Sequence, residues 1–306
     1  MTPGKVNIEM KSKKELRDFI SHRAEEIKSH QDIELVMQRH YKLMFKLYLT
    51  KPLYFKVIFK ANRFIIGTAV MTYFFTTENP TLRHVKDFCK TTGLISENTV
   101  DSFLLFIRVG GRMDVKKDPL DKRKLNYTVT SKAQDETRAL INTMMIPYGM
   151  LYPDFDVSRC LKMENFNAEY FRKYSEIILN QIYLFDMVPD CKEFIFRDAG
   201  HMILMDLYIE SIRQQNAVIG YNYLKASLKC GVSRSHIKRC LKAAETGGLL
   251  RLDTTNNTIV LHLSFMQMAL NYFSVYMAMV EYGLRGLPDV ARPADTVVAD
   301  GLSVPL

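Results

Sequence analysis

Residues 224–262 limit the fold more than any other stretch. Leu224, Ala226, Leu228 and Cys230 lie in a helix-periodic segment that runs into Gly231, and Ser233 then supplies an N-cap for a second helix. Ile237 and Leu241, with Cys240 and Ala244 beside them, give that helix one inward stripe. The same period turns Arg234, Ser235, Lys238, Arg239 and Lys242 outward. Gly247-Gly248 ends the helix, and two alternating runs, 249–253 and 258–262, flank the polar Thr254-Thr255-Asn256-Asn257 as a hairpin would. Helix, turn, helix, hairpin is the order of a winged helix. The fold class expected is therefore mainly α with small β-hairpin wings.

Charge gives this segment a partner. No acidic residue occurs between Ser211 and Ala244, while Arg213, Lys225, Lys229, Arg234, Lys238, Arg239 and Lys242 all lie there, so a polyanion approaching it meets little repulsion. Double-stranded DNA is the expected partner, with Ser233, Arg234, Ser235, His236, Lys238, Arg239 and Lys242 at the major groove. Arginine there can pair bidentately with guanine, and short polar side chains can reach other base edges. The bland alternative is a solvated basic face on a protein-binding module.

The chain has 306 residues, enough for two domains, and a formal net charge of +9, which favours an anionic partner. Its five cysteines are an odd number without a C-x-x-C pair, which suits a reduced, cytoplasmic protein. Residues 1–14 lack the apolar centre of a signal peptide, and the most apolar run, 64–75, is too short to cross a bilayer, so no membrane partner is expected. No phosphate loop or dinucleotide fingerprint occurs, and neither an enzyme nor a cofactor is expected. His236 and Cys240, four apart with Cys230 near, are at most part of a metal site, and no fourth ligand accompanies them.

Taken in order, 1–30 holds a charged amphipathic helix with little packing potential. Residues 31–146 form a first unit with helices over 33–49, 54–76, 81–92 and from Ser96 to Gly110-Gly111, then a long basic hairpin over 112–130 and a helix capped by Ser131 that runs to about 145. A linker over 147–158 follows. Residues 159–286 repeat the plan, with helices over 166–187 and 194–212 before the segment described above and one over 264–284 after it, and 287–306 reads as a disordered tail. Gly93 falls on Gly231 (231 − 93 = 138) and Ser131 on Ser264 (264 − 131 = 133), as in a duplication whose second hairpin is shorter.

In the first hairpin, Asp118-Pro119, Asp121-x-Arg123 and the following Thr130-Ser131-Lys132 resemble the wing signature of the MarR family of bacterial transcriptional regulators. The resemblance implies that Asp121 orients Arg123 and that Arg123 enters the minor groove. It also implies that the flanking helices pair the two units, making the chain an intramolecular pseudo-dimer. Ala133 stands near a position where the family commonly has glycine, and the second hairpin lacks the D-x-R pair. Arg112, Lys116, Lys117, Lys122 and Lys124 complete a wing face for phosphate and minor groove, with Asp121 and Arg123.

The first unit's second helix carries Glu97 and Asp101, with no Lys or Arg before Arg108. Either the halves divide the task, one keeping the basic wing and the other the basic helix, or the first helix has a structural role. The expected function is transcription regulation at an asymmetric site with readers about 34 to 36 Å apart. A plasmid-type replication initiator and a winged-helix scaffold for other proteins are the alternatives. A small-molecule effector and further homodimerisation are both left open.

Overall fold

The computed structural model describes residues 11–253 and 255–288; the tail expected over 287–306 lies from 289 onward outside them. The protein is mainly helical with two small antiparallel sheets. The first half runs α1 (Lys13–Lys28), α2 (Ile33–Thr50), α3 (Pro52–Ile58), α4 (Ala61–Thr76), α5 (Leu82–Thr91), α6 (Glu97–Val109), β1 (Met113–Lys117), β2 (Leu125–Val129) and α7 (Ser131–Leu151). The second runs α8 (Val157–Lys162), α9 (Phe166–Leu179), α10 (Leu184–Met187), a 3-10 turn (Pro189–Cys191), α11 (Lys192–Ile195), α12 (Gly200–Gln214), β3 (Val218–Gly220), α13 (Tyr223–Cys230), α14 (Arg234–Thr246), β4 (Leu250–Asp253), β5 (Thr258–Leu261) and α15 (Leu263–Leu284).

Caps set most starts. Thr81, Ser96, Asn222 and Ser233 each accept the backbone N–H three residues on. At α7 the cap is Thr130, and Ser131, expected in that role, is the first helical residue. Three runs expected as single helices are broken. Lys60 is extended between α3 and α4, Gln181 has φ 51° after α9, and Ala199 has φ 55° between α11 and α12. Each break carries a short polar stretch, Lys60 with Asn62-Arg63, Asn180-Gln181 and Arg197-Asp198, but apolar runs resume within a turn on the far side and carry the helical period across it. Gly200 follows directly, and a Cβ there would run into the Phe194 carbonyl, so only glycine fits this turn.

Helix α7 continues past 145 through Pro147 to Leu151. Proline lacks the N–H that would serve the carbonyl four residues back. His40 of α2 serves that carbonyl instead, with its Nδ1 2.9 Å from Thr143 O.

Strand β3, three residues long, is a strand that the residue pattern does not announce. It pairs with β5, which pairs with β4. In the first half β1 pairs with β2, and a single bridge between Thr81 and Asn126 stands where β3 stands in the second.

The buried side chains form one continuous cluster. Helix α1 belongs to it, against the expectation of weak packing: Leu16, Ile20, Ala24 and Ile27 are buried and the helix lies on α15. Arg23 of α1 is also buried, with its Nε 3.0 Å from both carboxylate oxygens of Glu281. Helix α15 is long and apolar enough to cross a bilayer, but most of it is buried in the protein against α1, α7 and α9, as in a core helix.

The halves exchange helices. Helix α2 packs on α12 of the second half as well as on α7, and α9 packs on α4 of the first half as well as on α15. Tyr41 of α2 donates to Asp206 of α12 at 2.5 Å, and Phe171 of α9 stacks on Phe75 of α4 with centroids 5.6 Å apart. Contacts to the other half's helix pair continue at both ends: Tyr48 of α2 donates its hydroxyl to Cys230 O at 2.6 Å, and Gln181, just past α9, donates its Nε2 to Thr91 Oγ1 at 3.0 Å.

Candidate nucleic-acid interface

Helix α14 buries Ile237, Cys240, Leu241 and Ala244 and exposes Arg234, Ser235, Lys238, Arg239 and Lys242, so a cationic face is held out by an apolar stripe. Beside it lies an open groove of about 910 Å³ lined by Tyr223, Arg234, Ser235, Lys238 and Asn257. Tyr223 and Asn257 are among the groove residues that residue pattern alone missed, with Gly220, Tyr221 and Asn222. Lys238 Nζ stands 5.7 Å from the Tyr223 ring centroid, which holds its charge at the groove wall.

Not every cation of the segment is available. Lys229 Nζ is 2.8 Å from Asp206 Oδ1 and 3.5 Å from Glu210 Oε1. Burial works against its charge, but the hydrogen bond and the field of Asp206, with Glu210, raise the Lys229 pKa above its ordinary value. Arg213 pairs with Glu210, and Lys242 with Glu245 at 2.7 Å. Among the described residues, Lys225, Arg234, Lys238 and Arg239 have no carboxylate within 4.0 Å.

Two residues expected at the major groove are occupied. His236 is half-buried, with its Nε2 2.9 Å from the Asp198 carbonyl before α12, so it ties α14 to the core. Ser233 caps α14 by accepting the His236 N–H at 3.2 Å. Cys240 is buried, and burial pushes its thiol up to about 12, far from the thiolate a metal needs.

In the first hairpin Lys116, Lys117, Lys122, Arg123 and Lys124 are exposed. Arg112 is not: it is buried, its Nε and Nη2 2.6 and 2.9 Å from the Glu136 carboxylate, and its guanidinium lies 3.5 Å from the Tyr54 ring centroid. Its charge is spent inside the fold, which removes it from the wing face. Asp121 Oδ1 accepts the backbone N–H of Arg123 at 3.0 Å and not its guanidinium, so the implied orienting pair is a turn contact. A groove of about 910 Å³ lies between α5 and this hairpin, lined by Arg83, Lys86, Arg123 and Lys124 together with Asp87 and Asp118; α14 lines the groove of the second half, but no residue of α6 lines this one.

Helix α6 presents a different surface. Glu97, Asp101, Leu105 and Val109 are exposed, and Asp101 pairs with Lys86 at 2.6 Å. The interior holds two apolar cavities of about 100 Å³ each that share Phe64, Thr68, Tyr174 and Tyr276. No protein-family model, curated protein or solved structure matches the chain.

Proposed function

We propose that the chain is a sequence-specific, duplex DNA-binding transcription regulator, a MarR-like protein with two winged-helix units joined as an intramolecular pseudo-dimer. The observation that carries this reading is the outward face of α14: Arg234, Lys238 and Arg239 exposed, free of carboxylate partners among the described residues, and backed by four buried apolar residues. A helix so placed can lie in a major groove with its first turns toward base edges. The third strand, the β4–β5 hairpin and the groove at Tyr223 and Asn257 stand where a wing would meet the flanking backbone.

The helix exchange supports the pseudo-dimer. The α2 contact to α12 and the α9 contact to α4 join corresponding helices of the two halves, as pairing about a pseudo-two-fold would, although α9 packs on α4 more extensively than α2 does on α12. Because α14 is cationic and α6 acidic and apolar, the two units meet DNA differently: α14 and the basic β1–β2 hairpin supply the contacts, and the bound site is asymmetric.

Exposed Leu94, Leu105 and Val109 around α6 favour a second reading, in which the first unit receives another protein. Selection of duplexes from a random pool by the full chain at two salt concentrations tests the first. An asymmetric motif whose binding weakens steeply with salt is expected, because phosphate contacts release counterions. No duplex bound at either salt would leave the protein-binding reading. Repeats of the motif at a replication origin would move the role from promoter to initiator.

A further inference from the structure

The two hairpin tips are built alike. In the first, Asp118 Oδ1 accepts the backbone N–H of Leu120 at 2.9 Å and of Asp121 at 3.1 Å, and Oδ2 accepts the Asn126 side-chain amide at 2.9 Å. In the second, Asp253 Oδ1 accepts the N–H groups of Thr255 and Asn256, both at 3.1 Å, and Oδ2 accepts the Asn256 side-chain amide at 2.9 Å. Leu120 and Thr255 thus hold the same place, two residues past the anchoring aspartate. The turn uses only the backbone N–H there, so it has no need of an apolar side chain.

Leu120 is nevertheless 99% exposed, the most exposed large hydrophobic of the described residues. A single exposed leucine is ordinary on a protein surface. This one stands at the end of an arm that is fixed at its base, where Tyr127 of β2 donates to Val70 O of α4 at 2.8 Å, and fixed at its tip by Asp118. Pro119 precedes it, and exposed Lys116, Lys117, Lys122, Arg123 and Lys124 lie along the same hairpin, outnumbering Asp114, Asp118 and Asp121, the last two of which turn their carboxylates to the backbone N–H groups of the turn. An apolar point within a cationic collar fits a surface that is anionic outside and apolar within, which is the layering of stacked bases between phosphate strands.

We propose that Leu120 is a wedge that enters the minor groove and partly unstacks one base step while its cationic neighbours hold the phosphates on either side. The proposal rests on the DNA-binding reading above and adds a distortion of the duplex to it. An isobutyl group makes no hydrogen bond to a base edge, so Leu120 selects by deformability. Pyrimidine–purine steps unstack most readily, and the preferred site carries TA or CA under the first hairpin. Thr255 offers no such wedge, so the kink lies on one side of the site.

The test uses the full chain and its selected duplex, with 2-aminopurine in place of the adenine at the TA or CA step and a donor and acceptor dye on the ends. Wild-type protein should raise the 2-aminopurine fluorescence and shorten the end-to-end distance. Leu120→Thr, which borrows the residue of the second tip and so keeps the turn, should lose both signals and bind about tenfold more weakly with the salt slope unchanged. Leu120→Met should restore them. Lys122→Ala should lower the salt slope and keep the fluorescence rise. If Leu120→Thr keeps the full rise, or if wild-type protein binds the site without unstacking it, the wedge is overturned while the DNA-binding reading stands. If wild-type protein binds no duplex at all, both fall.

Discussion

Tyr48, near the end of α2, donates its hydroxyl to the carbonyl of Cys230 at 2.6 Å, so a helix of the first half closes the turn between the two helices of the second half's basic unit. The neighbouring Gly231 has φ +60°, which favours glycine, while a Cβ there would make only ordinary contact with the Tyr48 ring at 3.7 Å. The turn's own backbone bonds, Gly231 N to Leu228 O at 3.4 Å and Val232 N to Ser227 O at 3.1 Å, are long or shared at the helix end. The position of α14 thus depends on a side chain 182 residues away in sequence.

Tyr48→Phe should therefore destabilise the protein by about 1 to 3 kcal/mol, because it leaves a buried carbonyl without its donor. Urea unfolding of the full chain measures this. An unchanged midpoint would mean that the helix-end bonds alone hold the turn.

Two arginines separate binding from folding. Arg239 is exposed on α14, and Arg239→Ala should cost roughly 1 to 3 kcal/mol of binding to the selected duplex with no change in melting temperature. Arg112→Ala should do the reverse. It leaves the buried Glu136 without its bidentate partner, with Lys51 2.6 Å away but half in solvent, and should lower stability by about 3 to 5 kcal/mol. Equal effects of the two changes on affinity, with both variants folded, would put Arg112 back on the wing.

What the chain reveals about itself divides by distance. Ser96, Thr81 and Ser233 cap helices through bonds three residues long, and Ile237 and Leu241 face inward by a four-residue period, so both were legible in sequence. Arg112 was not: it stands among cations between α6 and β1, and its partner Glu136 comes 24 residues later on α7. The docking of α1 was hidden in the same way, since Arg23 meets Glu281 across 258 residues. Short breaks were hidden for a different reason. Lys60 and Ala199 lie in polar stretches of only a few residues between apolar runs, too short to interrupt the helical period, and a three-residue strand such as β3 is too short to show alternation.

The exposed lysines of the first hairpin should act on phosphate. Lys116→Ala, Lys117→Ala and Lys124→Ala should each lower the slope of log K against log salt by about 0.9 for every phosphate that the variant no longer neutralises, with sequence preference unchanged. Lys242, already paired with Glu245, should change the slope less. Titration at several salt concentrations measures these slopes, and slopes equal to wild type for all three hairpin variants would remove the hairpin from the interface.

His40 and His201 make the fold sensitive to acid. Their rings stand 5.9 Å apart between α2 and α12, with Phe59, Phe273, Tyr272 and Tyr276 around them. His40 gives its Nδ1 proton to the Thr143 carbonyl that Pro147 cannot serve, and its Nε2 has no partner among the described residues. A second proton on His40 would thus be buried without an acceptor. Burial, against the bond to Thr143, pulls its pKa from 6.5 to about 4, and burial together with the neighbouring His40 pulls His201 to about 3. Because both folded values lie below the unfolded one, the unfolded chain takes up protons first as pH falls. The stability these rings confer is complete above the unfolded value of 6.5 and is lost as pH falls from there toward 4 and 3. At full slope each histidine costs about 1.4 kcal/mol per pH unit. Urea midpoints measured between about pH 7 and pH 5 should fall, and in His201→Phe the slope should drop by about half even where its absolute stability differs, because one titrating group is gone. A wild-type midpoint that stays constant over this range would show that the two rings take up their protons in the folded protein as readily as in the unfolded chain.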